Sequence, residues 1–195
     1  MDESSDWTLV EQARAGDMDA FAVLVRRYQE PVIHFCMRML GSRADAEDVA
    51  QETFVRLYRY LPRIKPEARF TTLLFGMARN ATLNAIRDAK RRGRGVTVSL
   101  DDRNDDVFPI QATAETTHRP DNAARLREID ALVQAAIDSM PPDHREVLLL
   151  REVQGMDYEA IAEVVGVCKG TVKSRLARAR ESLRLRLETL GGRHL

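Results

Sequence analysis

Between positions 169 and 180 the chain carries Lys169, Lys173, Arg175, Arg178 and Arg180. Ammonium and guanidinium groups at this density suit contact with phosphates and with guanine edges, which accept two parallel hydrogen bonds from Arg. Val172, Leu176, Ala179 and Leu183 run through the same stretch at helical spacing. They would anchor one face of a helix in a core and leave the basic positions, with Ser174 and Ala177, outside. A second cluster, "RDAKRRGR" at 87–94, holds five bases and one acid, whereas residues 99–121 between the two hold six acids and two bases. The 30 Lys and Arg balance 30 Asp and Glu, so a net charge of zero hides separate basic segments. Two such segments point to two contacts with a polyanion, most commonly nucleic acid. Other reactive residues do not assemble. Cys36 and Cys168 are far apart, His34 and Cys36 fall on different helix faces, and no catalytic dyad, phosphate-cradling Gly loop or metal cluster is visible. The expectation is a protein that is not an enzyme and takes no cofactor, metal or small-molecule substrate.

The elements that must position these groups read as helices. Ala, Leu, Arg and Glu are abundant, aromatics are 6%, and 44% apolar content can fill small cores. No apolar run is long enough to span a membrane, no h-region follows "MDESSDW", and the two cysteines fit a reducing compartment, so a cytoplasmic location is expected. Residues 8–30 read as helix with a break at "AGD" (15–17), Asp19 as a cap, a kink or new start at Pro31, and a stop at Gly41. "SRADAEDVAQETFVRLYRYL" is the clearest helix: Ser42 and Asp45 resemble a capping box, and Ala46, Val49, Ala50, Phe54, Leu57 and Leu61 form one stripe. After the loop "PRIKPEAR", a helix opens at Thr71 or Thr72 and ends at Gly93 and Gly95. No periodicity survives from 93 to about 120, which reads as a flexible acidic linker. Helix then resumes, and "DYEAIAEVVGVCKGTVKSRLARARESL" has the layout of a helix-turn-helix, with Ile161, Ala162 and Val165 inward and Gly166 at the turn. The fold class expected is all-α: two small helical domains, 1–92 and 121–195, joined by the linker 93–120.

"GTVKSRLARAR", preceded by "PPDHREVLLLREVQGMDYEAIAEVVGV", resembles region 4 of extracytoplasmic-function (ECF) sigma factors of the sigma-70 family, the domain that reads the −35 promoter element. "DAEDVAQETFVRLYRYL" is similar to their region 2.2, and "FTTLLFGMARNATLNAIRDAKRR" to regions 2.3 and 2.4, in the same order. The resemblance covers about 10–90 and 121–188. It implies a transcription initiation factor with core RNA polymerase (clamp and flap regions) and promoter DNA as partners. It further implies an anti-sigma factor that holds it inactive, at times at the inner membrane face, and a stress or envelope-response regulon.

By that resemblance Asp45, Glu47, Asp48, Gln51 and Glu52 would meet the polymerase clamp. Arg63, Lys65, Phe70, Thr72, Leu73, Arg79, Asn80, Arg87, Lys90 and Arg91 would bind and open the −10 element, with Asn80 and the loop 62–69 holding an extruded base. Lys173, Ser174, Ala177 and Arg178 would contact −35 bases, and Lys169, Thr171, Arg175 and Arg180 its phosphates. The chain departs from the family where F-x-T-W-L is usual: Leu73 stands in the Trp position, and Gly76 where a basic residue is common. Either melting is weakened, with Phe70 and Phe75 as neighbours that compensate, or the position serves core packing. Cys168, at the start of the basic helix, is either a small helix-start residue or a redox-sensitive thiol. Two rival readings remain at this stage: a stand-alone dimeric helix-turn-helix regulator, and a helical protein-binding adaptor with non-specific nucleic-acid affinity.

Overall fold

The computed structural model describes residues 3–66, 68–93 and 120–191, and among these there is no strand. Helices α1 (Glu3–Arg14) and α2 (Met18–Leu40) are divided at Gly16. Asp17, not Asp19, caps α2: its carboxylate accepts from the amides of Asp19 and Ala20 at 2.9 and 3.1 Å. α2 is one continuous helix through Pro31, so no new helix starts there. An interior proline costs about 3 kcal/mol. Leu24, Tyr28, Val32, Phe35 and Met39 form a fully buried stripe on both sides of it. At roughly 1.5–3 kcal/mol for each such side chain, that burial outweighs the lost hydrogen bond. Gly41 ends α2 at φ 74°, a left-handed conformation that suits glycine, and its amide bonds the Met37 carbonyl at 2.8 Å.

α3 (Arg43–Tyr60) starts as expected at Ser42, whose hydroxyl accepts from the Asp45 amide at 3.3 Å, and its predicted apolar stripe is buried. A 3-10 turn at Leu61–Arg63 leads to α4 (Phe70–Arg91). The helix opens at Phe70, just before the threonines expected to start it, because that ring belongs to the core. Phe70 lies edge-on to Trp7 at 6.1 Å and beside Tyr28 at 5.3 Å. Leu74, Phe75, Ala78 and Ala81 continue the buried face against α2 and α3. α1 is tied to this unit by buried Asp6, which accepts from the Tyr28 hydroxyl and pairs with Arg27.

The second unit comprises α5 (Pro120–Asp138), α6 (Pro142–Glu152), α7 (Tyr158–Val165) and α8 (Lys169–Gly191). Asp157 caps α7 through the Ala160 amide at 2.8 Å, and Gly166 (φ 70°) turns the chain toward α8. α7 buries Ala160, Ile161, Val164 and Val165, while Ala162, expected inward, is only half-buried. Val172, Leu176 and Ala179 of α8 are buried and Leu183 half-buried. Of the expected linker, 93–120, residues 94–119 lie outside the described residues, and Pro120 already opens α5.

The two units pack together, α7 on α4 and both α5 and α6 on α2, where the sequence suggested loosely tethered domains. Arg145, 6% exposed, donates to the carbonyls of Met39 and Asp138 at 2.6 and 2.8 Å. Arg38, 2% exposed, bonds Gln134 at 2.9 Å and pairs with Asp130. Charges this deep are tolerable only when partnered, and here each finds at least one partner across the boundary.

Candidate nucleic-acid interface

The buried positions of α8 fix which residues face outward. With Val172, Leu176 and Ala179 in the core, the helical repeat exposes Lys173, Ser174, Ala177 and Arg178 together. This patch offers a long cation, a hydroxyl, a methyl and a guanidinium, the groups that read base edges in a major groove. Lys173 leans toward the Tyr158 ring, 5.9 Å from its centroid, and the Ser174 hydroxyl donates to the Thr171 carbonyl at 3.0 Å. The other predicted α8 cations are engaged elsewhere. Lys169 pairs with Glu159, Arg180 bonds Glu152 at 2.6 and 2.9 Å, and Arg175 turns to Asp143 at 3.5 Å and Glu146 at 3.7 Å. Thr171 is half-buried and lies beside Cys168, with 3.2 Å between Oγ1 and Sγ. Hydrogen bonds from the Thr171 hydroxyl and then its amide hold the exposed Cys168 thiol below the usual cysteine range.

On α4 the C-terminal turns carry Arg87, Lys90, Arg91 and Arg92, all exposed. Arg87 bonds Asn84 at 3.0 Å, and Arg91 approaches Asp88 at 3.7 Å. Arg87, Arg91 and Arg92, with Glu52 and Arg56 of α3, line a polar groove open to solvent, where cations could meet a phosphate backbone. Asn80 is exposed immediately before Ala81, the first α4 residue of this groove, and its side-chain oxygen accepts from Arg79 at 3.3 Å. Arg63 and Lys65 are exposed on the loop before α4. Phe70 and Thr72, both expected at the −10 element, are buried, so neither presents a surface to DNA here. Phe75 is buried as well and does not back up Leu73, which is half-buried and packs on the core. Arg79 faces the second unit. Its Nε and Nη2 donate to the two oxygens of Glu146 at 2.7 and 3.1 Å. Burial pushes the Glu146 carboxyl up, while Arg79 and Arg175 pull it the other way.

Asp45, Glu47, Asp48, Gln51 and Glu52 are all exposed on α3. Two are partly engaged within the helix, Glu47 with Arg43 at 2.8 Å and Glu52 with Arg56 at 2.5 Å. Beside Glu47 and Gln51 lies an apolar groove between α2 and α3, lined by Met18, Phe21, Val25, Ile33, Val55 and Tyr58. Met18, Val55 and Tyr58 are 54%, 42% and 45% exposed. The sequence reading missed this face. Its signal was present: Val55 and Tyr58 are apolar positions off the buried stripe, one and two turns beyond Gln51. Glu146 was missed too, since nothing in "DHREVLLL" marks it as the partner of a residue on another domain.

Comparison with known proteins adds an independent line. Residues 24–92 match the family profile "Sigma-70 region 2", and residues 130–183 match "Sigma-70, region 4". The RNA polymerase sigma-H factor of Pseudomonas aeruginosa is 35% identical over 96% of this chain and 96% of its own. The ECF RNA polymerase sigma-E factor of Haemophilus influenzae is 32% identical over 97% of this chain and 98% of its own. Among solved structures, CnrH in complex with the cytosolic domain of CnrY aligns with a TM-score of 0.67 and 25% identity, covering 95% of this chain and 98% of that one. The sigma factor RpoE from Bartonella quintana, in complex with the anti-sigma factor NepR, shares the fold at a TM-score of 0.66 and 21% identity over 86% of this chain and 96% of its own.

Proposed function

Because this chain belongs to the sigma-70 family, among its extracytoplasmic-function RNA polymerase sigma factors, we propose that its two helical units bind core polymerase and read a promoter in two places. The observation that carries this reading is the outward patch Lys173, Ser174, Ala177 and Arg178 on a helix anchored by buried Val172, Leu176 and Ala179. It reads the −35 element, and the basic end of α4 tracks the backbone beside the −10 element. Asn80, exposed next to that track, is placed to hold an unpaired base. Leu73 packs on the core, which favours a structural role over a stacking one.

The acidic face of α3 and the apolar α2–α3 groove beside it together form the polymerase-docking surface, a polar rim around an apolar centre. An anti-sigma factor covering this surface would block polymerase, and two structural relatives are described bound to partner proteins, one of them named an anti-sigma factor. A stress or envelope-response regulon is the corresponding biological role.

Run-off transcription with bacterial core RNA polymerase, with and without the protein, tests the reading on a pool of genomic promoter fragments. Sequence-specific starts that appear only with the protein are expected. On those promoters Arg178→Ala should cost about 1–3 kcal/mol and relax preference at one −35 base pair. Folded protein that binds no core polymerase would overturn the assignment.

A further inference from the structure

Arg14, in the last turn of α1, reaches across to the segment between α3 and α4. Its Nε donates to the Leu61 carbonyl at 3.2 Å, and its Nη2 donates to the Ile64 carbonyl. These two acceptors bracket the 3-10 turn, and the Leu61 carbonyl also takes the Ile64 amide at 3.3 Å. A planar guanidinium, with its donors in a fixed fork, holds two oxygens at a set separation; an ammonium does not. Seven residues earlier on α1, Trp7 lies edge-on to Phe70, where α4 begins. Seven residues of helix span about 10.5 Å, so α1 is a strut set against both ends of the stretch from Leu61 to Phe70. Buried Val10 and Ala13, between these contacts, and Asp6, which accepts from Tyr28 and Arg27, fix the strut to the core.

Pro62, Arg63, Lys65 and Pro66 of the supported segment are exposed, while Leu61 and Ile64 turn their side chains into the core. In the promoter reading proposed above, on which this inference rests, Asn80 holds an unpaired base, and by the family resemblance the loop 62–69 assists it. Gripping one base requires the loop to keep its place to within about 0.5 Å. A loop free to move would lose binding energy to its own ordering. α1 supplies that order in advance, yet it lies before residues 24–92, the part of the chain that matches sigma-70 region 2.

We propose that Arg14 is a positioning residue for capture of the −10 base. It makes no DNA contact itself; it fixes the carbonyls of Leu61 and Ile64, and through them the loop that flanks the base. Its fork, more than its charge, does this. Core polymerase binding does not depend on it, because Arg14 belongs neither to the acidic face of α3 nor to the α2–α3 groove.

The test uses holoenzyme assembled from the full chain and core RNA polymerase. The probe is a fluorescent single-stranded oligonucleotide with the nontemplate −10 sequence of a promoter found by run-off transcription. Arg14→Ala should bind it about 5-fold or more weakly than wild type, because two charge-assisted hydrogen bonds to the loop are lost. Arg26→Ala, at an exposed position of α2, is the control for losing one positive charge and should match wild type. An abasic site scanned along the oligonucleotide should weaken wild type sharply at one position, and weaken Arg14→Ala little further there. Arg14→Lys keeps the charge without the fork and should follow Arg14→Ala. Circular dichroism checks folding, and if Arg14→Ala is unfolded, Arg14→Lys decides the question. Wild-type affinity in Arg14→Lys would overturn the proposal. So would an abasic penalty equal in wild type and folded variants, the mark of a direct phosphate contact or of general loosening, or a wild type with no abasic-sensitive position. Failure of the sigma reading looks different: wild type and every variant alike would give no promoter-specific transcripts.

Discussion

At the scale of single residues, the two cysteines show how environment sets reactivity. Cys36 is fully buried on α2, and burial pushes its thiol up to about 11 despite the hydrogen bond from the Thr82 hydroxyl. Cys168 is exposed at the start of α8, with its thiol drawn below the ordinary range by Thr171. Because the thiolate is the reactive form, native protein at pH 8 should react with Ellman's reagent in two phases. One thiol reacts quickly and is lost in Cys168→Ser; the other reacts only on unfolding. Two fast thiols would show that the α2–α4 core opens readily around Cys36. The identity of these residues was readable from the sequence, but not their fates. Phe70 and Thr72 show the same limit, because a family resemblance places them at a DNA site while packing on Trp7 and Tyr28 takes the Phe70 ring inside.

At the scale of elements, α8 depends on three buried residues, Val172, Leu176 and Ala179, to hold its outward face steady. Leu176 is 1% exposed between α6 and α8, so Leu176→Ala should destabilise the protein by about 2–5 kcal/mol through lost burial and the cavity left behind. Ala177→Ser, one position on but exposed, should change thermal stability by no more than about 0.5 kcal/mol. Equal effects in urea denaturation would mean that α8 is not anchored as described. Most elements were legible for this reason: one helical face buried and one exposed leaves a periodic trace, and Ser42, Asp157, Gly41 and Gly166 punctuate it with caps. The misreadings were local contests that the core decided. Pro31 signals a break, yet the stripe on both sides of it carries the helix through. Ala162 looks like the small inward residue of α7, yet the face from Ala160 and Ile161 to Val164 and Val165 is the one that packs.

At the scale of the whole molecule, the contact between units was invisible in the sequence, because its ion pairs join residues such as Arg38 and Asp130 or Arg79 and Glu146, 92 and 67 positions apart, with no periodic signature. That contact also makes the molecule sensitive to pH through His34. Its Nε2 accepts from Arg38 Nε at 3.4 Å, which requires a neutral imidazole. Burial and then the Arg38 charge lower its pKa, with Asp130 acting in the opposite direction. The folded state therefore binds fewer protons than the unfolded chain in the window below the unfolded value of about 6.5. The stability from neutral His34 is fully present above that value and is lost as pH falls through the lowered folded one. Glu146, raised above its ordinary value, works the other way: its contribution is present below the unfolded carboxyl range and fades as pH rises through the folded value. Comparing wild type with His34→Gln cancels the Glu146 contribution and isolates that of His34. Melting temperatures from pH 8 down to pH 5 should fall more steeply for wild type than for His34→Gln, and small-angle scattering should show wild type expanding first. Parallel curves would mean that protonation of His34 is accommodated without loosening Arg38 from α5, and that the contact there is held by Asp130 and Gln134 alone.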